Sequence, residues 1–192
     1  MLKRILFAIS FLLTTTAFAE DFDYSYVSVS YQGVDADYDL FVDGSRFSIN
    51  ASLELNDEWF AIAEYGTAEF DVPVDRNNYS LGLGYRLGIG AQTDLVPTLA
   101  WAHSEIDPEG FSSIDDDGVA VSLGLRHAFT DRFELFGFFE YADLFESADK
   151  VIGLDALYQL NEAIAIGVNA SVADGATIKS SYGIEVRYYF GQ

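Results

Sequence analysis

Residues 46–55 read Arg46-Phe47-Ser48-Ile49-Asn50-Ala51-Ser52-Leu53-Glu54-Leu55. Apolar and polar side chains alternate without interruption: Phe47, Ile49, Ala51, Leu53 and Leu55 share one face, and Arg46, Ser48, Asn50, Ser52 and Glu54 the other. A sustained period of two predicts a strand with one apolar face, whereas a helix would repeat its apolar residues every three or four positions.

The pattern recurs in both directions. Tyr24–Gln32 sets Val27, Val29 and Tyr31 against Ser28, Ser30 and Gln32, and Tyr79–Leu87 sets its Tyr and Leu residues against Ser80, Gly82, Gly84 and Arg86. Val119–Phe129 and Tyr182–Phe190 repeat it, and weaker versions occupy Trp59–Tyr65, Leu95–His103, Phe133–Tyr141, Ile152–Leu160 and Ile164–Val172, which makes ten predicted strands with eight as the fallback count. The connections alternate in character. Asn56-Asp57, Gly88–Gln92, Thr130-Asp131 and Asn161-Glu162 read as tight turns. Gly33–Gly44, Gly66–Asn78, Ser104–Gly118, Ala142–Lys150 and Ala173–Ser180 read as longer, acidic loops. Short turns at one end and long loops at the other predict an up-and-down antiparallel meander.

Composition narrows the setting. The 192 residues suit one domain, and 10 Lys+Arg against 31 Asp+Glu give a formal charge of −21. Removing Lys3 and Arg4 with an N-terminal leader would leave 8 − 31 = −23. Such a charge excludes nucleic acid as a partner. Half the residues are hydrophobic and 16% aromatic, which excludes an acidic disordered tail. Cysteine is absent and there are two histidines, so thiolate sites, disulfides and histidine-rich metal centres are excluded, and no cofactor is expected.

Residues 1–19 have the form of a secretory signal, with Lys3 and Arg4 before the apolar run Ile5–Leu13 and Ala17-Phe18-Ala19 as a small-x-small cleavage site. The run is too short to span ~30 Å of hydrocarbon as a helix. Cleavage after Ala19 would leave residues 20–192 as one exported domain.

Alternation alone also suits a soluble sandwich, or a soluble periplasmic binding barrel of lipocalin type. Three features favour a transmembrane barrel. The polar faces are small, rich in Ser and Gly. The apolar faces end in aromatics at both levels: Trp59, Tyr85, Phe129, Phe133, Tyr158, Tyr188 and Phe190 toward the short turns, and Tyr31, Tyr65, Tyr79, Trp101, Tyr141 and Tyr182 toward the long loops. The last strand runs to the aromatic Phe190, near the end of the sequence. In lipid every backbone N–H needs a partner, so the sheet must close.

With these features the chain resembles the small outer-membrane β-barrel family of Gram-negative bacteria, the broad OmpA/OmpX-like porin-family group. The resemblance implies an outer-membrane location and a monomeric, non-enzymatic barrel, either structural or a narrow channel for small solutes. It also implies as partners the outer-membrane lipid, lipopolysaccharide and the barrel assembly machinery. Gly183, Val186, Tyr188 and Phe190 are similar to that family's assembly signal, with Gly191 and Gln192 following where the family usually ends on the aromatic.

If the aliphatic faces meet lipid, parity turns Arg46, Glu54, Glu64, Arg86, Arg126, Glu134, Glu140, Asp155, Glu185 and Arg187 into the lumen. Arg86, Arg126, Arg187, Glu54 and Glu134 fall in the periplasmic half, where unpaired charges would be costly, so a salt-bridged plug is expected over an open pore. Phe60, Ile62, Phe136 and Phe138 share the inward parity, as core packing or as a site for a small hydrophobic molecule. Asp35-Ala36-Asp37-Tyr38-Asp39 and Asp115-Asp116-Asp117-Gly118 lack the spacing of a calcium loop and read as solvated charge, with a loose divalent site as the alternative. His103 and Ser104 are adjacent on a strand and face opposite ways, so they cannot form a nucleophile–base pair.

Overall fold

A computed structural model describes residues 22–36, 43–145, 147–174 and 178–190. The signal segment 1–19 and the Asp37 and Asp39 of the first acidic loop lie outside the described residues. Every regular element described is a strand: β1 (Tyr26–Ala36), β2 (Gly44–Glu54), β3 (Trp59–Phe70), β4 (Val74–Tyr85), β5 (Leu87–Gly90), β6 (Thr93–Pro108), β7 (Ile114–Thr130), β8 (Phe133–Leu144), β9 (Ser147–Asn161), β10 (Ile164–Asp174) and β11 (Ile178–Tyr189). Strands β4 and β5 are two parts of one course along β6, Gly84 facing Thr98 and Leu87 facing Leu95, with the ladder interrupted at Arg86. The described strands therefore make ten courses, all antiparallel, closed where β1 pairs with β11 in the register Val29↔Val186 and where β4 pairs with β6. Closure leaves no strand edge to be satisfied by water, which the hydrocarbon interior does not supply.

The apolar faces of the alternating runs look outward. Leu81 is 61% exposed and Ile184 63%, while Ser28, on the opposite face of β1, is 2% exposed. The two predicted aromatic levels lie on this outer face, among them Trp101 above and Trp59 below. This inside-out distribution gives no hydrophobic gain over lipid, so the wall coheres through its hydrogen-bonded ladder and through packing inside.

That packing depends on the inward glycines. The Phe60 ring lies over Gly84, Phe136 over Gly124 and Phe138 over Gly153, so that a Cβ at any of these glycines would collide with the ring. Tyr24, Phe60 and Val96 form a small buried cluster with Phe22, Ile62 and Phe136 against it, and Leu157, Ala165 and Tyr189 form another near the periplasmic rim.

Three expectations need correction. The predicted long loops are mostly strand: β3 continues to Phe70 and β4 begins at Val74, where Gly66–Asn78 reads as loop in the sequence. Likewise β6 reaches Pro108 and β7 starts at Ile114. The acidic residues of these stretches are tolerated in strands because they stand above the aromatic level, in water. Second, Tyr24 does not begin a strand; residues 22–25 bend into the barrel before β1 starts at Tyr26. Third, Glu54 is exposed at the periplasmic end of β2 and its carboxylate accepts the Tyr24 N–H rather than an arginine (3.0 Å).

Candidate functional site: the barrel lumen

The periplasmic layer is built by register. Asp94 on β6 lies directly opposite Arg126 on β7, and Arg126 opposite Phe136 on β8; Arg187 on β11 faces Ser28 on β1. Arg126 donates to both carboxylate oxygens of Glu134 from Nη2 (2.9 and 3.0 Å), and Nε adds a third bond to the same group at 3.2 Å. Arg187 shares Glu134 at 3.6 Å and pairs with Glu185 at 3.0 Å. Fork-shaped guanidinium–carboxylate pairing of this kind combines charge with fixed direction. Four of the predicted lumen residues thus meet in one buried group, and Arg187 also stacks over the Tyr26 ring at 4.1 Å. Arg86 lies 3.9 Å from Asp94.

Residues 22–25 pack into this layer from inside. Tyr24, 4% exposed, stacks on Phe60 (centroids 4.6 Å apart) and donates its hydroxyl to Asp94 at 3.0 Å. Burial raises the Tyr24 phenol above the ordinary tyrosine range, with Arg126 pulling the other way and Asp94 raising it further. Phe22 lies under the Arg126 guanidinium, 4.5 Å from ring centroid to Cζ.

Above this floor is a cavity of about 330 Å³. Its walls are hydroxyls and amides that largely satisfy one another: Ser30 with Ser48 at 2.7 Å, Thr98 with Ser122 at 2.6 Å, Ser171 with Ser181 at 2.9 Å and Gln32 donating to Asn169 at 2.8 Å. Arg46 donates to Glu64 at 2.6 Å in the same space, separate from the periplasmic group. Glu140 and Asp155 line the cavity and enter no ion pair among the described residues. Phe136 and Phe138 lie side by side, 5.7 Å between centroids, each against its glycine, so the apolar band is occupied by its own packing.

Two inward groups escape sequence reasoning. Asp94 precedes the predicted strand by one residue, and Arg76 falls in a predicted loop. Arg76 is buried at the outer end of the lumen, its Nε donating to Ser104 (2.9 Å) and Asn78 (3.1 Å). Asp94 shares the inward parity of Val96 and Thr98 on β6, and Arg76 that of Asn78 on β4, beyond the ends of the strands that alternation marks. Ser104 is fully buried on this inner face, and His103 lies on the outer wall with Nδ1 2.9 Å from the Asp117 carboxylate, between the Tyr79 and Trp101 rings. Asp115 and Asp117 alternate with Asp116 across the β7 wall, and among the described residues no three His, Asp or Glu side chains converge to hold a metal ion.

A closed antiparallel barrel with an aliphatic exterior banded by aromatics and a charged interior defines a membrane β-barrel protein. The chain belongs to the outer membrane protein beta-barrel domain family, whose model matches residues 5–171. No curated protein sequence matches it. Among solved structures it is similar to the NanC porin (10% identity, 86% of this chain and 99% of that one, TM-score 0.52). It is also similar to the β domain of the Bordetella autotransporter BrkA (10%, 86% and 99%, TM-score 0.53). At such identities these likenesses establish the fold alone. The protein is an integral barrel of the outer membrane.

Proposed function

We propose that the protein is a non-enzymatic, monomeric envelope barrel whose lumen is plugged at the periplasmic end and open as a vestibule toward the exterior. The observation that carries this reading is the Arg126–Glu134–Arg187–Glu185 group, buried across the barrel and backed by Tyr24 and Phe60. A barrel of this size is nearly filled by its side chains, and the bidentate pairs together with the inserted residues 22–25 complete the closure. Cleavage after Ala19 and contact with lipopolysaccharide belong to the same reading. Recognition of Val186, Tyr188 and Phe190 by the assembly machinery is supported by their outward exposure near the periplasmic rim. Gly183 has a packing role beside any such role, since a side chain there would strike the β1 backbone at Tyr31. The separation of Ser104 from His103 across the wall supports the non-enzymatic reading.

Planar-bilayer conductance of the refolded protein tests the plug. The wild type should give no stable open level, and Arg126→Ala should produce discrete openings. A wild type that conducts steadily would refute the closed lumen.

A further inference from the structure

We propose that the periplasmic mouth of the barrel is a binding site for a short polypeptide of the form aromatic-x-aromatic, filled by the chain's own residues 22–25 acting as a tethered stopper. The inference rests on the closed-lumen reading for its consequence, but the site stands on separate contacts. Four consecutive residues have their main chain read by the barrel. The Phe22 carbonyl accepts from Arg86 Nη1 at 3.0 Å and the Asp23 carbonyl from Arg126 Nη1 at 3.1 Å. The Tyr24 N–H donates to Glu54 Oε1 at 3.0 Å, and the Ser25 carbonyl accepts from the Phe190 N–H at 3.0 Å.

Main-chain bonds of this kind fix the direction of the segment without regard to its side chains, which leaves selectivity to the two aromatic positions. Those positions are Phe22 and Tyr24. Phe22 offers its face to the Arg126 guanidinium, a cation–π contact. Tyr24 slots onto Phe60 and reaches Asp94 with its hydroxyl. The segment turns in from β1 through a side-chain turn, Asp23 Oδ1 accepting the Ser25 N–H at 2.7 Å.

Covalent attachment makes seating intramolecular, at an effective concentration on the order of millimolar for a short tether. Modest intrinsic affinity is then enough to keep the mouth closed. The segment is bound through contacts that a free peptide could reproduce, so it can be displaced and replaced without unfolding the wall.

The test uses a chain beginning at Tyr26, refolded in detergent and checked for heat-modifiable gel mobility, and a fluorescent peptide of residues 20–25, Glu-Asp-Phe-Asp-Tyr-Ser. The peptide should bind the shortened chain and not the full one, and a Tyr24→Ala peptide should bind about tenfold more weakly, the equivalent of ~1.4 kcal/mol. In a bilayer the shortened chain should conduct and the peptide, added on the mouth side, should silence it. Absence of binding to the shortened chain overturns the site. A silent shortened chain beside a silent wild type overturns the stopper but leaves the plug reading intact, whereas a conducting wild type overturns the plug and leaves the peptide binding to decide the site.

Should the shortened chain fail to fold, the cysteine-free sequence offers a second measurement. Ser25→Cys in the full chain should be protected from maleimide and become labelled roughly tenfold faster when combined with Tyr24→Ala, because loss of the anchor raises local opening. Equal rates would overturn the proposal.

Discussion

The Phe136 ring occupies the space that a side chain on Gly124 would need, one strand away across the β7–β8 ladder. The lumen is thus packed by pairing large residues with glycines on the facing strand. Gly124→Val should destabilise the barrel by about 1–3 kcal/mol through overpacking. Gly137 faces the opposite way, and a Cβ there would meet Leu154 Cδ1 at an ordinary 3.9 Å, so Gly137→Ala should fold like the wild type. Urea titration of gel mobility in lipid vesicles distinguishes the two.

Glu134 neutralises two buried arginines, and it is the better choice for breaking the periplasmic group. Glu134→Ala strips Arg126 of its bidentate carboxylate and leaves Arg187 with Glu185 alone, and should cost ~3–5 kcal/mol. Glu64→Ala breaks a half-exposed pair with Arg46 and should cost about 0–1 kcal/mol. Comparable losses in the same vesicle titration would mean that burial does not separate the two groups.

The outer wall makes a depth-dependent prediction. Leu83 lies between Tyr79 and Tyr85 on the lipid-facing side of β4, and Leu87 lies beyond the lower aromatic level. Leu83→Arg should cost roughly 2–4 kcal/mol and Leu87→Arg roughly 0–1 kcal/mol. Retention of full stability by Leu83→Arg would place that face away from lipid.

Tyr24 gives the seated segment an alkaline limit. Its phenol is held above the value near 10 that a free tyrosine shows, so the seated form keeps a proton that the released form loses. The stabilisation is complete below about pH 10 and declines as pH rises beyond it, since the released state then binds fewer protons. Near-ultraviolet titration should show one late-ionising tyrosine fewer in Tyr24→Phe than in the wild type. An unchanged late component would show that Tyr24 is not among the buried phenols.

Strand parity was legible from residues such as Phe47, Ile49 and Ser48, because one face meets lipid and the other a crowded interior. The inward direction of Arg126, Glu134, Glu185 and Arg187 followed from the same parity. Strand length was not legible above Tyr65 and Tyr79, where the wall enters water and outward polar residues such as Glu69 and Asp75 erase the alternation. The inward turn at Asp23 was hidden because Tyr24, with the parity of Ser28 and Ser30, reads as the first residue of a strand, whereas its real partners, Phe60 and Asp94, are distant in sequence. Gly84 and Gly124 stood out as small, but their fit to Phe60 and Phe136 depends on which strands become neighbours.

The seam between β1 and β11 also carries part of the hold on the leading residues. Ser25 borrows its hydrogen-bond donor from Phe190, the last of the described residues, and Tyr189 leans edge-on against Tyr26 beside it. A wall without its final strand lacks this one support, while the grips on Phe22, Asp23 and Tyr24 come from Arg86, Arg126 and Glu54 elsewhere in the wall. Closing the seam therefore completes the grip on the leading residues at Ser25.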